Sequence, residues 1–166
     1  ILGEAIASGQ CEVVGLCDVD ERQITATKEK ISKLTGDQPR TYRDYRDLLA
    51  KEKPEIVIVA TPDHWHALPT IAAVKAGAHV YVEKPIAHTI AEGRAMVNAA
   101  RAAGRVVQVG THRRTSPHTI QAREFIRSGK VGQIGMMRCF VNTGGSGPEK
   151  PSPTLPVPAG LDWDAW

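Results

Sequence analysis

The chain has 166 residues, with 21 basic against 18 acidic side chains, a formal net charge of +3, and 42% hydrophobic residues, the make-up of an ordinary globular domain. No stretch approaches the roughly 18 consecutive apolar residues of a membrane-spanning helix. So weak a positive field, with only 5% aromatic residues, argues against nucleic acid as a partner. From the start, Ile1, Leu2, Ala5 and Ile6 are spaced like one face of a helix that Gly9 stops. Glu12–Cys17 is an apolar run suited to a buried strand, ending at Asp18. Ile24, Thr27, Ile31 and Leu34 define a one-faced helix that Gly36 can stop. Arg40 to Lys53 reads as a short extended piece followed by a short helix. Glu55–Ala60 is apolar and β-branched, a strand expected to be buried on both faces.

Thr61 as N-cap and Pro62 in the first turn are expected to open a helix reaching Ala76, with Gly77 closing it. Ala78–Val82 is the next strand. A helix marked by Ile90, Gly93, Val97 and Ala100 ends at Gly104, and Val106–Val109 is a further strand. A helix over Thr115–Arg127 stops at Ser128-Gly129, and Gly135–Val141 is read as a last strand. From Asn142 the chain is rich in Gly and Pro, an excursion or linker. Three cysteines, Cys11, Cys17 and Cys139, have neither C-x-x-C spacing nor histidines at zinc-site spacing. They read as reduced, with Cys11 and Cys17 in or beside a buried strand, and no metal site is expected. The chain opens without Met on a helix already under way and stops within Leu161-Asp162-Trp163-Asp164-Ala165-Trp166, so it reads as a fragment of a longer protein.

Strands separated by helices at this rhythm make βαβ units and an α/β fold with a doubly wound parallel sheet. Ligands of such sheets sit at the carboxyl ends of the strands, which directs attention to Asp18, Thr61 to His66, Glu83 to Pro85, and Gly110 to Arg114. An acidic residue at Asp18 suits the adenosine ribose hydroxyls of a dinucleotide and repels a 2′-phosphate; it equally suits a surface helix cap. Asp20 is the better cap, which frees Asp18, while Arg22 could stack on adenine or meet a phosphate. His64 and His66 stand at i, i+2 and do not share a helix face, so a metal pair is disfavoured. His66 reads either as a packing residue or as a ligand contact beside a helix N-terminus. In Glu83-Lys84-Pro85 the proline ring restricts the backbone, so the Lys84 ammonium could be held beside a substrate oxygen that gains negative charge, with Glu83 orienting it. The alternative is an exposed ion pair of little consequence.

Taken in order, these clusters resemble the Gfo/Idh/MocA family of NAD(P)-dependent oxidoreductases, which includes glucose–fructose oxidoreductase and inositol dehydrogenase. The residues that carry the resemblance are Val14–Asp20, Tyr42–Leu49, Ile56–Pro62 with His66, Ala76–Pro85 and Ile126–Gly132. The closing Leu161–Trp166 is similar to members acting on sugars or glycosides, some of them exported by a twin-arginine signal. The resemblance implies a Rossmann-type doubly wound sheet over residues 1–111 whose first strand precedes Ile1, and the start of a second α/β domain over 112–166. It implies Asp18, Thr61, Pro62, His66, Glu83 and Lys84 around the cofactor, Lys84 as the catalytic-site lysine, and His112 and Arg113 toward the substrate. It implies NAD as cofactor, with NADP left open, a small carbohydrate-like substrate and a homo-oligomer in the full-length protein. The glycine-rich pyrophosphate loop and the downstream D-x-x-x-H pair are absent from the sequence, so the general base is expected elsewhere. The expected reaction is hydride transfer at a carbinol carbon; NAD-dependent glycoside hydrolysis and a non-catalytic NAD sensor are the alternatives. Cytoplasmic location is the default expectation, with twin-arginine export left open.

Overall fold

The computed structural model describes residues 2–140 and 153–166. Helix α1 (Leu2–Ala7) leads to strand β1 (Gly15–Cys17), helix α2 (Glu21–Thr35), strand β2 (Arg40–Tyr42) and helix α3 (Tyr45–Glu52). Two of these helices start by the same device. Asp20 and Asp44, both in extended backbone, accept the amide N–H of Arg22 and Arg46 at 2.9 and 2.8 Å. Each arginine also folds its guanidinium back onto the capping carboxylate. An Asp-x-Arg triplet thus satisfies an orphan helix donor and neutralises its own cap. Helix α2 then buries Ile31 and ends at Gly36, whose φ of 85° suits glycine.

The second half alternates in the same way: strand β3 (Ile56–Val59), helix α4 (Ala67–Lys75), strand β4 (His79–Val82), helix α5 (Ile90–Ala103) and strand β5 (Val107–Val109). Helix α5 opens on a capping box in which Thr89 and Glu92 satisfy each other's backbone amides. All strand pairs are parallel, in two sheets: β1 with β2, and β3–β4–β5. This is the expected Rossmann-type α/β arrangement. Strands β1 and β3 do not pair, and among the described residues no strand lies between the two sheets. The core collects Val59, Val80 and Val82 with Ala67, Ala73 and Val74 of α4, Met96 of α5 and Leu49 of α3. Small residues on α4 let it lie close to the sheet and to α5. Gly15 does the same for α3, since a Cβ there would sit 3.2 Å from the Leu48 side chain.

Several local expectations are corrected. Only Gly15–Cys17 of the run from Glu12 forms a strand, and Cys11 is exposed; Val13 instead donates its N–H to the Asp37 carboxylate at 3.0 Å. Strand β3 is not buried on both faces: Val59 is buried, but Ile56 is 64% exposed, and among the described residues β3 pairs on one side only. The expected continuous helix from Thr61 to Ala76 is split. Pro62 is extended (φ −53°, ψ 151°), a 3₁₀ turn covers Asp63–Trp65, and α4 starts at Ala67 without a side-chain cap, so Thr61 is no N-cap. The helix expected from Thr115 is preceded by a 3₁₀ turn at His112–Thr115 and runs as α6 (Pro117–Arg127). Gly135–Phe140 forms no strand, and Met136, Met137 and Phe140 are exposed; hydrophobicity makes no strand without a neighbour to bond. Val141, and the start of the Gly- and Pro-rich remainder, lie outside the described residues.

Contacts divide the chain into two units, Ile1–Gly110 with Val157–Trp166, and Thr111–Pro156. The last ten residues therefore pack with the first unit rather than with the residues that precede them.

The α2 cap titrates. Hydrogen bonds from the Arg22 side chain hold the Asp20 carboxyl at about 2, below its ordinary 3.8. A folded value below the unfolded one stabilises fully above about pH 4, and the contribution is lost as pH falls through about 2. Thermal melts should therefore show a steeper acid loss for the wild type than for Asp20→Asn, the two converging near pH 2; parallel acid limbs would refute this cap as the cause.

Candidate functional site

Register sets the geometry of the strand ends. Val59, Val82 and Val109 are partners across β3–β4–β5. One residue further, Glu83 donates its N–H to the Val59 carbonyl at 2.9 Å and Gly110 donates to the Val82 carbonyl at 2.8 Å. The loops after β3, β4 and β5 therefore leave the sheet side by side, which brings Thr61, Pro62, Glu83 and Lys84 to one edge.

His66 is 1% exposed. Its Nε2 lies 2.9 Å from the Thr61 carbonyl oxygen, and its Nδ1 is at hydrogen-bond distance from the Pro85 carbonyl oxygen. Each ring nitrogen thus faces a backbone carbonyl oxygen, which accepts only from a nitrogen that carries a proton, and the ring lies between the loop after β3 and the loop after β4. The ring is buried between the two loops.

The Glu83-Lys84-Pro85 turn, with a cis bond before Pro85, is held from inside: the Lys84 N–H donates to Glu83 Oε2 at 3.0 Å. The Lys84 side chain is exposed. Alternation along β4 puts Val80 and Val82 into the core and turns Tyr81 and Glu83 to the other face. Burial, with the Glu83 and Glu4 carboxylates nearby, pushes the Tyr81 hydroxyl above its ordinary range, so it stays a protonated donor. Gly110 closes the cluster. A Cβ there would fall 2.8 Å from the Tyr81 hydroxyl oxygen and 3.0 Å from Glu83 Oε2. Tyr81 was not singled out from sequence, although its i, i+2 relation to Glu83 on a strand was the available signal.

At the end of β1, Asp18 is exposed and its Oδ1 accepts the Asp20 N–H at 2.9 Å. Asp20 is occupied by the cap, and Arg22 is committed to Asp20. Burial, then Asp44 and Asp18, raises the Cys17 thiol to about 11, so beside the site it stays an unreactive thiol.

The terminal segment also reaches these ends, which sequence reasoning missed. Leu161 forms an antiparallel bridge with Asp20, and Asp162 donates its N–H to the Val19 carbonyl at 2.9 Å. The Trp166 carbonyl oxygen accepts from Trp65 Nε1 at 2.8 Å and lies 3.0 Å from His64 Nε2. The indoles of Trp163 and Trp166 stack with centroids 5.3 Å apart. Residues 160–166 thereby touch both the β1 and the β3 ends. His112 and Arg113 lie in the second unit, exposed on its 3₁₀ turn.

The donor set fits a dinucleotide: a ribose-type carboxylate (Asp18), exposed Thr61 and Pro62 after β3, and an exposed ammonium (Lys84). Among the described residues, no group of His, Cys, Asp and Glu could hold a metal ion.

Comparison with known proteins supplies the context. Residues 3–111 match a family described as an oxidoreductase family with an NAD-binding Rossmann fold. The chain is 33% identical over 123 residues to the inositol 2-dehydrogenase of Salmonella paratyphi B, covering 74% of this chain and 35% of that protein. It is 34% identical over 123 residues to the D-glucoside 3-dehydrogenase of Escherichia coli, covering 74% and 34%. Among solved structures it is similar to the WlbA dehydrogenase from Bordetella pertussis in complex with NADH and UDP-GlcNAcA, with a TM-score of 0.69, 26% identity, and coverage of 78% of this chain and 36% of that one. The chain spans about a third of the length of the curated relatives it matches.

The crowding at Gly110 is testable. Gly110→Ala should destabilise by about 1–3 kcal/mol through overpacking, read by urea unfolding, and Tyr81→Phe in the same chain should restore part of the loss. Absence of coupling between the two changes would mean that the hydroxyl is not the obstacle.

Proposed function

Because the chain belongs to the Gfo/Idh/MocA oxidoreductase family, with its NAD-binding Rossmann fold, we propose that the protein carrying it oxidises a carbinol carbon of a sugar, cyclitol or glycoside. The observation that carries this reading is the exposed Lys84, on a turn held level with the end of β3 by the Glu83–Val59 bond. In the proposed reaction Lys84 donates to the substrate oxygen. As hydride leaves the carbon and the C=O bond forms, the hydroxyl proton passes to the general base that the family resemblance places outside this sequence, and the negative charge building on the oxygen is stabilised by a fixed ammonium. Bound NAD would supply the hydride acceptor. Asp18 would accept from the adenosine ribose hydroxyls and disfavour a 2′-phosphate, while Thr61 and Pro62 would line the cofactor. Glu83 would hold the backbone of Lys84. We assign His112 and Arg113 to the substrate side and expect a homo-oligomer by analogy. The names of the similar proteins, an inositol dehydrogenase and a glucoside dehydrogenase, support a polyol or glycoside substrate.

Three measurements on the full-length protein test this reading. In titrations, NAD(H) should bind several-fold more tightly than NADP(H), and Asp18→Ser should narrow the gap; tighter NADP(H) binding by the wild type would overturn the ribose role. With myo-inositol and methyl glucoside as substrates, NADH formation should follow oxidation, whereas redox-neutral glycoside cleavage leaves none. Lys84→Met keeps the stem and deletes the charge, and should lower kcat by ~10²–10³ with little change in NADH affinity. Wild-type turnover in that variant would remove Lys84 from the mechanism.

A further inference from the structure

The Lys84 turn is fixed on both sides of the lysine. Before it, Glu83 is bonded to the Val59 carbonyl and its carboxylate accepts the Lys84 N–H. After it, the Pro85 carbonyl meets the buried His66 ring, whose other nitrogen faces the Thr61 carbonyl. Resting on the reading of Lys84 above, we infer that His66 is a positioning residue: with its ring proton on Nδ1, the nearer of the two carbonyl contacts, it donates to the Pro85 carbonyl and fixes the backbone from which the Lys84 ammonium reaches the substrate oxygen.

The physical case rests on where the ring is and what it can reach. A ring 1% exposed, with both nitrogens on backbone carbonyls, has no polar atom left for substrate or cofactor. It acts only through what it holds. Helix α4 supplies the rigidity, because His66 immediately precedes its buried first residues, Ala67, Pro69 and Thr70. The Thr70 N–H bonds the His66 carbonyl at 3.4 Å. The Pro85 carbonyl is thereby tied to a helix that is itself seated in the core. Lys84 has four side-chain torsions of its own, so small changes in backbone position become large changes at the ammonium, and misplacement of about 1 Å is enough to cost ~10²-fold in rate.

Two near-isosteric changes separate the two nitrogens. The amide nitrogen of Asn overlays Nδ1 and keeps a donor toward Pro85. That of Gln overlays Nε2 and keeps a donor toward Thr61 only. In the full-length protein, His66→Asn should keep kcat within about threefold of wild type, while His66→Gln should lose about tenfold or more, NADH affinity staying within about threefold in both. Hydrogen–deuterium exchange of the segment 83–87 should rise in His66→Gln and remain near wild type in His66→Asn. A purely structural histidine predicts instead that the two variants lose stability and turnover together. Equal kcat in the two variants, or a loss that follows NADH affinity, would overturn the inference. Should His66→Gln fail to fold, His66→Asn decides alone: a tenfold fall in kcat at unchanged NADH affinity overturns it. Lys84→Met is assayed alongside. Turnover surviving that change would sink the catalytic reading and the positioning role with it. Turnover lost there, but equal between the two His66 variants, would sink the positioning role alone.

Discussion

The level ending of three parallel strands is the constraint on which the rest of this structure depends. A parallel ladder spaces its hydrogen bonds evenly, and Val59, Val82 and Val109 share one register. That register is held by what lies beneath it: Val80 and Val82, buried against Ala73 and Val74 of α4. A slip of one residue would turn both valines to the other face and bring Tyr81 and Glu83 into the core. Burying a carboxylate and a phenol without partners costs several kcal/mol, so the packing of α4 and the placement of Glu83 are one decision.

From that edge outward, the site is built of backbone held by side chains more than of side chains aimed at a ligand. His66 occupies the carbonyls of two loops, Glu83 takes the N–H of Lys84, Asp18 takes that of Asp20, and Asp20 takes that of Arg22. Each is a polar group satisfied locally. Among the residues exposed beside them are Asp18, Thr61, Pro62 and Lys84. The terminal segment adds a second link between the β1 and β3 ends, through Val19, Trp65 and His64. Those ends belong to sheets that, among the described residues, share no hydrogen-bonded strand pair. The same segment supplies two of the three tryptophans and sets their indoles in a stack.

The elements that were legible in the sequence carry a local signature. The periodicity of Ile24 to Leu34, closed by Gly36, and the two apolar runs ending at Ala60 and Val82 are read from neighbours within a turn or two. Their interpretation as a parallel sheet follows from alternation alone. The misreadings share a different cause. Thr61 looked like a helix cap because Thr-Pro is a good opening for a helix; the chain instead makes a 3₁₀ turn that lets His66 reach Thr61 and Pro85, a partner nineteen residues away. Gly135–Phe140 looked like a strand because it is apolar, yet it has no partner to pair with among the described residues. Ile56 looked buried because it is apolar and β-branched, yet among the described residues β3 has a neighbour on one side only.

By itself, then, the sequence determined the kinds of element, their order, the parallel sheet and the strand-end positions where chemistry belongs. These follow from short-range periodicity, caps and turn residues, each of which acts within a few residues of itself. Only the tertiary structure decided that His66 faces two carbonyls, that Tyr81 and Glu83 crowd Gly110, and that the last seven residues return to the β1 and β3 ends. Each of these depends on which distant groups a fold brings within about 3 Å, the range over which a hydrogen bond or a steric clash is decided, and no local pattern encodes that distance.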